Sequence, residues 1–477
     1  MAHELPTRIT HDPSLGFTRL PRHVIRHPDL VVGLDARRDD ENVRARMYGP
    51  AVPSLSGSEH TVTLKVRPRE VRRVAARLRQ VWRDEFVALT PLDPAGRPAP
   101  GRTPLPYASL VDLTAEPEAE LRAALSRLAL YGTQLLYDVL LGGEDEELKL
   151  FRGFLTDALS SDRALRIRFH SDLFLPWPML CLPAAADEGG AGGARGAGGA
   201  GGAGGAEGPG GVEGPGGAEG PGGVEGPGGV EGDGGGPAPD RVFARFLGYR
   251  HQLEHTGGNA YARVADDRDP PPRSAPAVSL NHDTGVDAQG LTLAAEVAAV
   301  LADGTDFVER TTRAELEHAL RDSLLDEQLM YFWCHGHFTA SGDEPPYLVL
   351  KLTDQQAIDA YTLRAHRPPL DACVPFRPFV LLNACYAGLP GNADLAYLGR
   401  ALFDAGASGI LGPQIEMPQR FAAEYALAFV TRYLAGRETA GGIAHSLARH
   451  FADTCRNPLG FAYALHSGMD SRLEHTA

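Results

Sequence analysis

The hydrophobic pattern along this chain changes period several times, and the changes outline its elements. Residues 70–82 carry Val71, Val74, Leu78 and Val81 at helical spacing, and Leu121, Leu125, Leu128 and Leu135 form a second helical stripe within 118–141. Val31 and Val32 mark a strand, and residues 60–66 and 165–170 alternate as strands do. From Arg241 the two periods follow each other. Residues 241–249 and 277–280 read as strands, and Leu293, Val297, Val300 and Leu301 as one helix face. Leu316, Leu320 and Leu324 form another face behind a capping-box pattern at Thr312 and Glu315. Residues 347–352 predict a strand and 356–363 a helix or turn; Phe421, Tyr425, Phe429 and then Ile443, Leu447, Phe451 mark two C-terminal helices. This alternation predicts an α/β fold, a mostly parallel sheet with helices on both faces.

Two apolar runs within that rhythm end at reactive side chains. Tyr331-Phe332-Trp333-Cys334 leads to His335-Gly336, and Phe379-Val380-Leu381-Leu382-Asn383-Ala384 leads to Cys385, with Gly388 three residues on. Chemistry in parallel sheets collects at the carboxyl ends of strands, so two such strands side by side would bring His335 and Cys385 together. A thiol is a poor nucleophile until deprotonated, and an imidazole can lower its pKa or protonate a leaving amine. Taken alone, Cys385 reads as an inert buried cysteine. Cys334 precedes the histidine on a strand and should face the opposite side, into core, while His337 shares the face of His335. Cys334, His335, His337 and Cys385 form only one short-spaced cluster, whereas structural zinc sites pair such spacings.

These pieces resemble the CHAT family of caspase-like domains, in the clan that also holds caspases, metacaspases and separase. The separation of His335 and Cys385, fifty residues, agrees with the caspase arrangement. Leu175-Pro176-Trp177-Pro178-Met179-Leu180 is similar to the family's Leu-Pro-Trp-Glu-Leu-Leu signature, and Phe246-Leu247-Gly248 to the strand after it. Residues 398–402 and 405–412 resemble the stretch after the family's cysteine. The resemblance runs from about Ala108 to the C-terminus. It implies a caspase-like cysteine endopeptidase without a cofactor: Cys385 as nucleophile, His335 as general acid/base, and the backbone N–H groups of Gly336 and Cys385 as an oxyanion hole. It further implies a protein substrate and an activating protein partner in bacterial signalling or defence. Relatives that cut after Arg or Lys hold an acidic residue in the pocket. Asp343, Glu344, Asp354 and Glu416 lie in loops suited to that role, and His337 is a further pocket candidate. Glu416, in Gln414-Ile415-Glu416-Met417-Pro418, stands where the family usually has a Trp-containing segment. The alternative is a catalytically silent CHAT fold that serves as a protein-binding scaffold.

Composition bounds these readings. The net charge of −15 over 477 residues argues against a direct nucleic-acid or anionic-membrane binder, since both need basic surface. Lys65, Lys149 and Lys351 are the only lysines and none follows a Gly-rich loop, so a P-loop is unsupported. Five irregularly spaced cysteines do not make a disulfide framework. The first residues lack the basic start and apolar run of a signal peptide, and no apolar run reaches the ~18 residues of a membrane span. A cytoplasmic protein is expected. Residues 1–107 form a region without assigned chemistry, either an adaptor or an N-terminal extension of the fold; residues 108–477 form the caspase-like domain. Residues 184–237 interrupt it with a Gly/Ala/Glu/Pro-rich tract expected to be a disordered surface insertion, because it has too little apolar surface to offset chain entropy.

Overall fold

The computed structural model describes residues 27–36, 41–53, 59–87, 110–184, 239–257, 273–287, 290, 293–339, 347–367, 376–385 and 398–473. The Gly-rich tract after Ala184, Asp343, Glu344 and Cys373 lie outside the described residues.

The strands are β1 (Leu30–Ala36), β2 (Val43–Tyr48), β3 (His60–Leu64), β4 (Arg166–Ser171), β5 (Gln252–His255), β6 (Ala277–His282), β7 (Asp306–Arg310), β8 (Leu329–Trp333), β9 (His335–Thr339), β10 (Tyr347–Lys351), β11 (Ala357–Ile358), β12 (Phe379–Asn383), β13 (Gly409–Pro413) and β14 (Tyr463–His466). Eleven of them form one sheet in the order β3-β2-β1-β4-β5-β14-β13-β12-β8-β6-β7; β11-β10-β9 form a small second sheet. Pairing in the large sheet is parallel except at β1–β2, β2–β3 and β13–β14. The mostly parallel α/β architecture expected from the alternating periods is present. The N-terminal strands belong to this same sheet, because β1 pairs with β4 in parallel.

The helices are α1 (Pro68–Phe86), α2 (Glu118–Thr133), α3 (Glu146–Leu159), α4 (Pro239–Phe243), α5 (Leu247–Arg250), α6 (Ala294–Ala302), α7 (Arg313–Arg321), α8 (Ala360–His366), α9 (Leu398–Ala405), α10 (Gln419–Leu434) and α11 (Ala440–Cys455). The central strands are apolar throughout because both of their faces are covered. Leu329, Tyr331, Trp333, Phe379 and Leu381 enter one core with residues of α1, α2, α6, α10 and α11. Met330, Phe332, Cys334, Val380, Leu382 and Ala384 enter a second core with residues of α7, α8 and α9. The capping box is formed: Glu315 N–H donates to Thr312 Oγ1 at 3.3 Å, and Thr312 N–H to Glu315 Oε2 at 3.0 Å. Among the described residues no helix is long and apolar enough to cross a membrane.

Two expectations change. Residues 241–249 form the short helices α4 and α5 rather than a strand, with only an isolated bridge between Phe246 and Cys181. Val242, Phe243, Phe246 and Leu247 are fully buried, and that spacing is one helical face. The helical stripe of α2 continues past Thr133 as a π-helical segment, Gln134–Leu140, with Leu135, Leu136 and Leu140 buried.

Candidate functional site

The site lies where two neighbouring parallel strands end together. β8 and β12 pair in register up to Trp333 and Asn383. After Trp333 the chain leaves the large sheet at Cys334, and His335 opens β9 of the small sheet. Gly336 then runs against the backbone of Cys385. A methyl group on Gly336 would overlap the Cys385 carbonyl oxygen and come within 3.2 Å of its amide nitrogen. Only a residue without a side chain permits that approach.

Asn383 supports the end of β12. It is buried, and its Nδ2 donates to the Tyr331 hydroxyl at 3.2 Å and the Ala422 carbonyl at 2.7 Å, while its Oδ1 accepts from the Tyr463 hydroxyl at 2.7 Å. A buried amide with its groups matched in this way fixes the strand in one position. The sequence carried a signal for it, one polar residue ending an otherwise apolar run. On the neighbouring strand end, Asp283 accepts from Gly285 N–H and from Gln355 Nε2, both at 2.8 Å, and its own N–H donates to the Trp333 carbonyl at 2.9 Å.

Cys385 is half-buried and reduced. Burial pushes its thiol above the ordinary range; the Met417 N–H opposes this by hydrogen bonding, and the charge of Glu416 pushes the same way as burial. His335 is exposed, and among the described residues no hydrogen bond joins its ring to Sγ. Across the β9–β10 ladder His335 faces Lys351 and His337 faces Val349. Partial burial lowers the His337 ring pKa, helped by the charges of Lys351 and His335. Cys334 is buried in the second core, where desolvation and then Asp283 hold its thiol protonated.

The acidic pocket candidates separate. Glu416 follows β13 and acts electrostatically on Cys385; its Oε1 lies 3.9 Å from Arg83 Nη1 of α1. Asp354 has both oxygens occupied by backbone, accepting from Arg313 N–H at 3.0 Å and from Gln356 N–H at 3.2 Å, so it caps α7 and its own turn. The helical stripe of residues 70–82 does not announce that Arg83, at the end of α1, reaches Glu416 in the loop after β13, because a local period carries no information on distant partners. Among the described residues no group of three or more His, Cys, Asp or Glu side chains is placed to hold a metal ion.

Residues 263–459 match the family model described as CHAT domain, a span that contains His335, Gly336, Asn383 and Cys385. No curated protein matches the chain. Among the similar solved structures are two of the Saccharomyces cerevisiae separase–securin complex, at 3.0 and 2.6 Å resolution. Each is 8% identical with a TM-score of 0.40, and each match covers 92% of this chain but 30% of the other.

Proposed function

We propose that this chain is a cysteine endopeptidase held in a resting state until a protein partner engages it. The observation that carries the reading is the backbone contact of Gly336 with Cys385 at the paired ends of β8 and β12. It sets His335 and Cys385 on adjoining backbone segments, which supports the reading that the N–H groups of Gly336 and Cys385 serve a developing oxyanion. In the reaction, His335 takes the Cys385 proton as sulfur attacks the scissile carbonyl, and the N–H groups of Gly336 and Cys385 receive the oxyanion. The imidazolium then protonates the leaving amine, and water hydrolyses the thioester to return the thiol. A thiol held up by burial and by Glu416, without a bond to His335, suits an enzyme that is slow alone. Engagement of the partner brings the ring onto the sulfur. Glu416, within electrostatic reach of the thiol, selects a basic residue before the cut, and His337 lines the cleft.

The same protonated thiol also fits a second reading, a silent fold that binds a protein without cutting it. One experiment separates the two. The full chain is incubated with candidate partner proteins, new N-termini are sought by mass spectrometry, and Cys385→Ala serves as the control. A discrete product absent from the control supports the peptidase; stable partner binding without any product supports the scaffold.

A further inference from the structure

A second cleft, apolar over most of its wall but with a few polar groups, lies apart from the dyad on the β5–β14 side of the large sheet. It measures about 310 Å³ to its open mouth, has inner room for one water-sized body at most, and is lined by Phe174, Trp177, His255, Gln414 and His466 among others. Its polar groups are unusual in being donors left over. Trp177 is 3% exposed and Gln414 2%, and neither the indole Nε1–H nor the amide Nε2–H has a partner among the described residues. Behind them stands Arg79 of α1, whose Nη2 donates to the Phe174 carbonyl at 2.9 Å and to Gln414 Oε1 at 3.2 Å. Its Nε is buried without a partner, and among the described residues no carboxylate pairs with it. Burial pushes the guanidinium pKa down to about 9. Arg79 as a whole is half-buried; a cation partly withdrawn from water and held by neutral groups is costly, and buried N–H groups such as its Nε–H are ordinarily matched.

The other groups in the wall do not supply the missing charge. Glu254 also lines the cleft, but its oxygens are taken by Arg168 Nε at 2.5 Å and by Met469 N–H at 2.9 Å. His255 Nε2 lies 2.8 Å from the Ser171 carbonyl and must donate to it, so its Nδ1 accepts from His466 Nδ1 at 3.4 Å. Burial keeps the His255 ring neutral.

We infer that this cleft is a binding site for a small anion, a halide or the oxygen of a carboxylate, taken by Trp177 N–H and Gln414 N–H and balanced by Arg79. Inner room of water size excludes larger anions from full entry. The site joins α1 to the loop that carries Glu416 and Met417, so an occupant ties the N-terminal region to the segment beside Cys385. The inference is independent of whether the chain cuts peptides.

The test uses the full chain in a buffer whose only anion is the bulky sulfonate Hepes, with melting followed as chloride or acetate is added. Arg79→Met and Trp177→Phe are run in parallel; the second keeps a ring against Phe169, on which Trp177 stacks at 3.6 Å. The wild type is expected to gain melting temperature along a saturating curve, and Arg79→Met to show only the shallow linear rise of general salt. Trp177→Phe loses one hydrogen bond and should need about tenfold more anion for half the effect. Chloride acting at lower concentration than acetate, or the reverse, identifies which occupant the cleft takes. Equal responses of wild type and Arg79→Met, or none in the wild type, would mean that the cleft holds only water and would overturn the inference. A Trp177→Phe curve superimposed on the wild type would remove Trp177 from the site.

Discussion

Gly336 and Cys385 meet backbone to backbone, closely enough that no other side chain fits at position 336. The contact joins strand β9 of the small sheet to the residues just after β12, so it is a structural clamp as well as a proposed part of the oxyanion hole. Gly336→Ala should therefore lower stability by about 1–3 kcal/mol through overpacking. It should abolish partner-stimulated cleavage while Cys385 still reacts with iodoacetamide. Thermal melting, product formation and alkylation measured on one preparation check all three.

Cys385→Ala and His335→Ala should each eliminate cleavage and leave melting within about 0.5 kcal/mol of wild type, the usual range for surface changes. His335 is exposed and Cys385 half-buried, so neither truncation opens a core cavity. Cleavage of an identified substrate by either variant at the wild-type rate would refute the dyad.

Glu416 raises the Cys385 thiol pKa, after burial itself. Glu416→Gln removes that charge, so the thiol should ionise at lower pH and alkylation at neutral pH should accelerate. The rate profile for iodoacetamide from about pH 6.5 to 10.5, about 2 units either side of a free thiol, should shift to the acid side. An unmoved profile would place Glu416 electrically apart from the sulfur.

Asn383 carries three hydrogen bonds at the root of the site. Asn383→Ala leaves the Tyr463 and Tyr331 hydroxyls without their Asn383 partner in a buried space, which should cost about 2–4 kcal/mol. Tyr463→Phe removes one donor and should cost about 1 kcal/mol. Denaturant titration of both variants gives the comparison.

His251 gives the fold an acid sensitivity. Its Nδ1 accepts from Leu165 N–H at 3.2 Å and its Nε2 donates to the Leu159 carbonyl at 2.8 Å, an arrangement only a neutral ring can make. Burial lowers its pKa to about 4 from 6.5. Between those values the unfolded chain binds a proton that the folded chain does not, so stability is complete above 6.5 and falls as pH drops towards 4. The contribution at stake is about 3 kcal/mol. Melting of the wild type should fall over that window, and His251→Gln should flatten part of the slope.

Much of this molecule was legible because burial has a local period. The stripes of α1, α6, α10 and α11 and the apolar runs of β8 and β12 are written in consecutive residues, and so are the ends at which His335 and Cys385 sit. The capping box at Thr312 and Glu315 needed only a three-residue spacing. Residues 241–249 failed the same reading, since Val242, Phe243, Phe246 and Leu247 allow a helical face as readily as a strand.

What no local pattern carried is adjacency between distant segments. Sheet order puts α1 over the loop after β13, so Arg83 meets Glu416 and Arg79 meets Gln414 across more than 300 residues. The same order leaves Asp354 on the backbone of α7 and Glu416 within electrostatic reach of the thiol, though both read alike as acidic loop residues. The residue types and their periods were determined by the sequence itself, because side-chain burial repeats with the backbone's own geometry. Which charges face the sulfur, and which donors are left without partners in a buried cleft, was decided by the tertiary structure, because electrostatics and desolvation depend on distance through space.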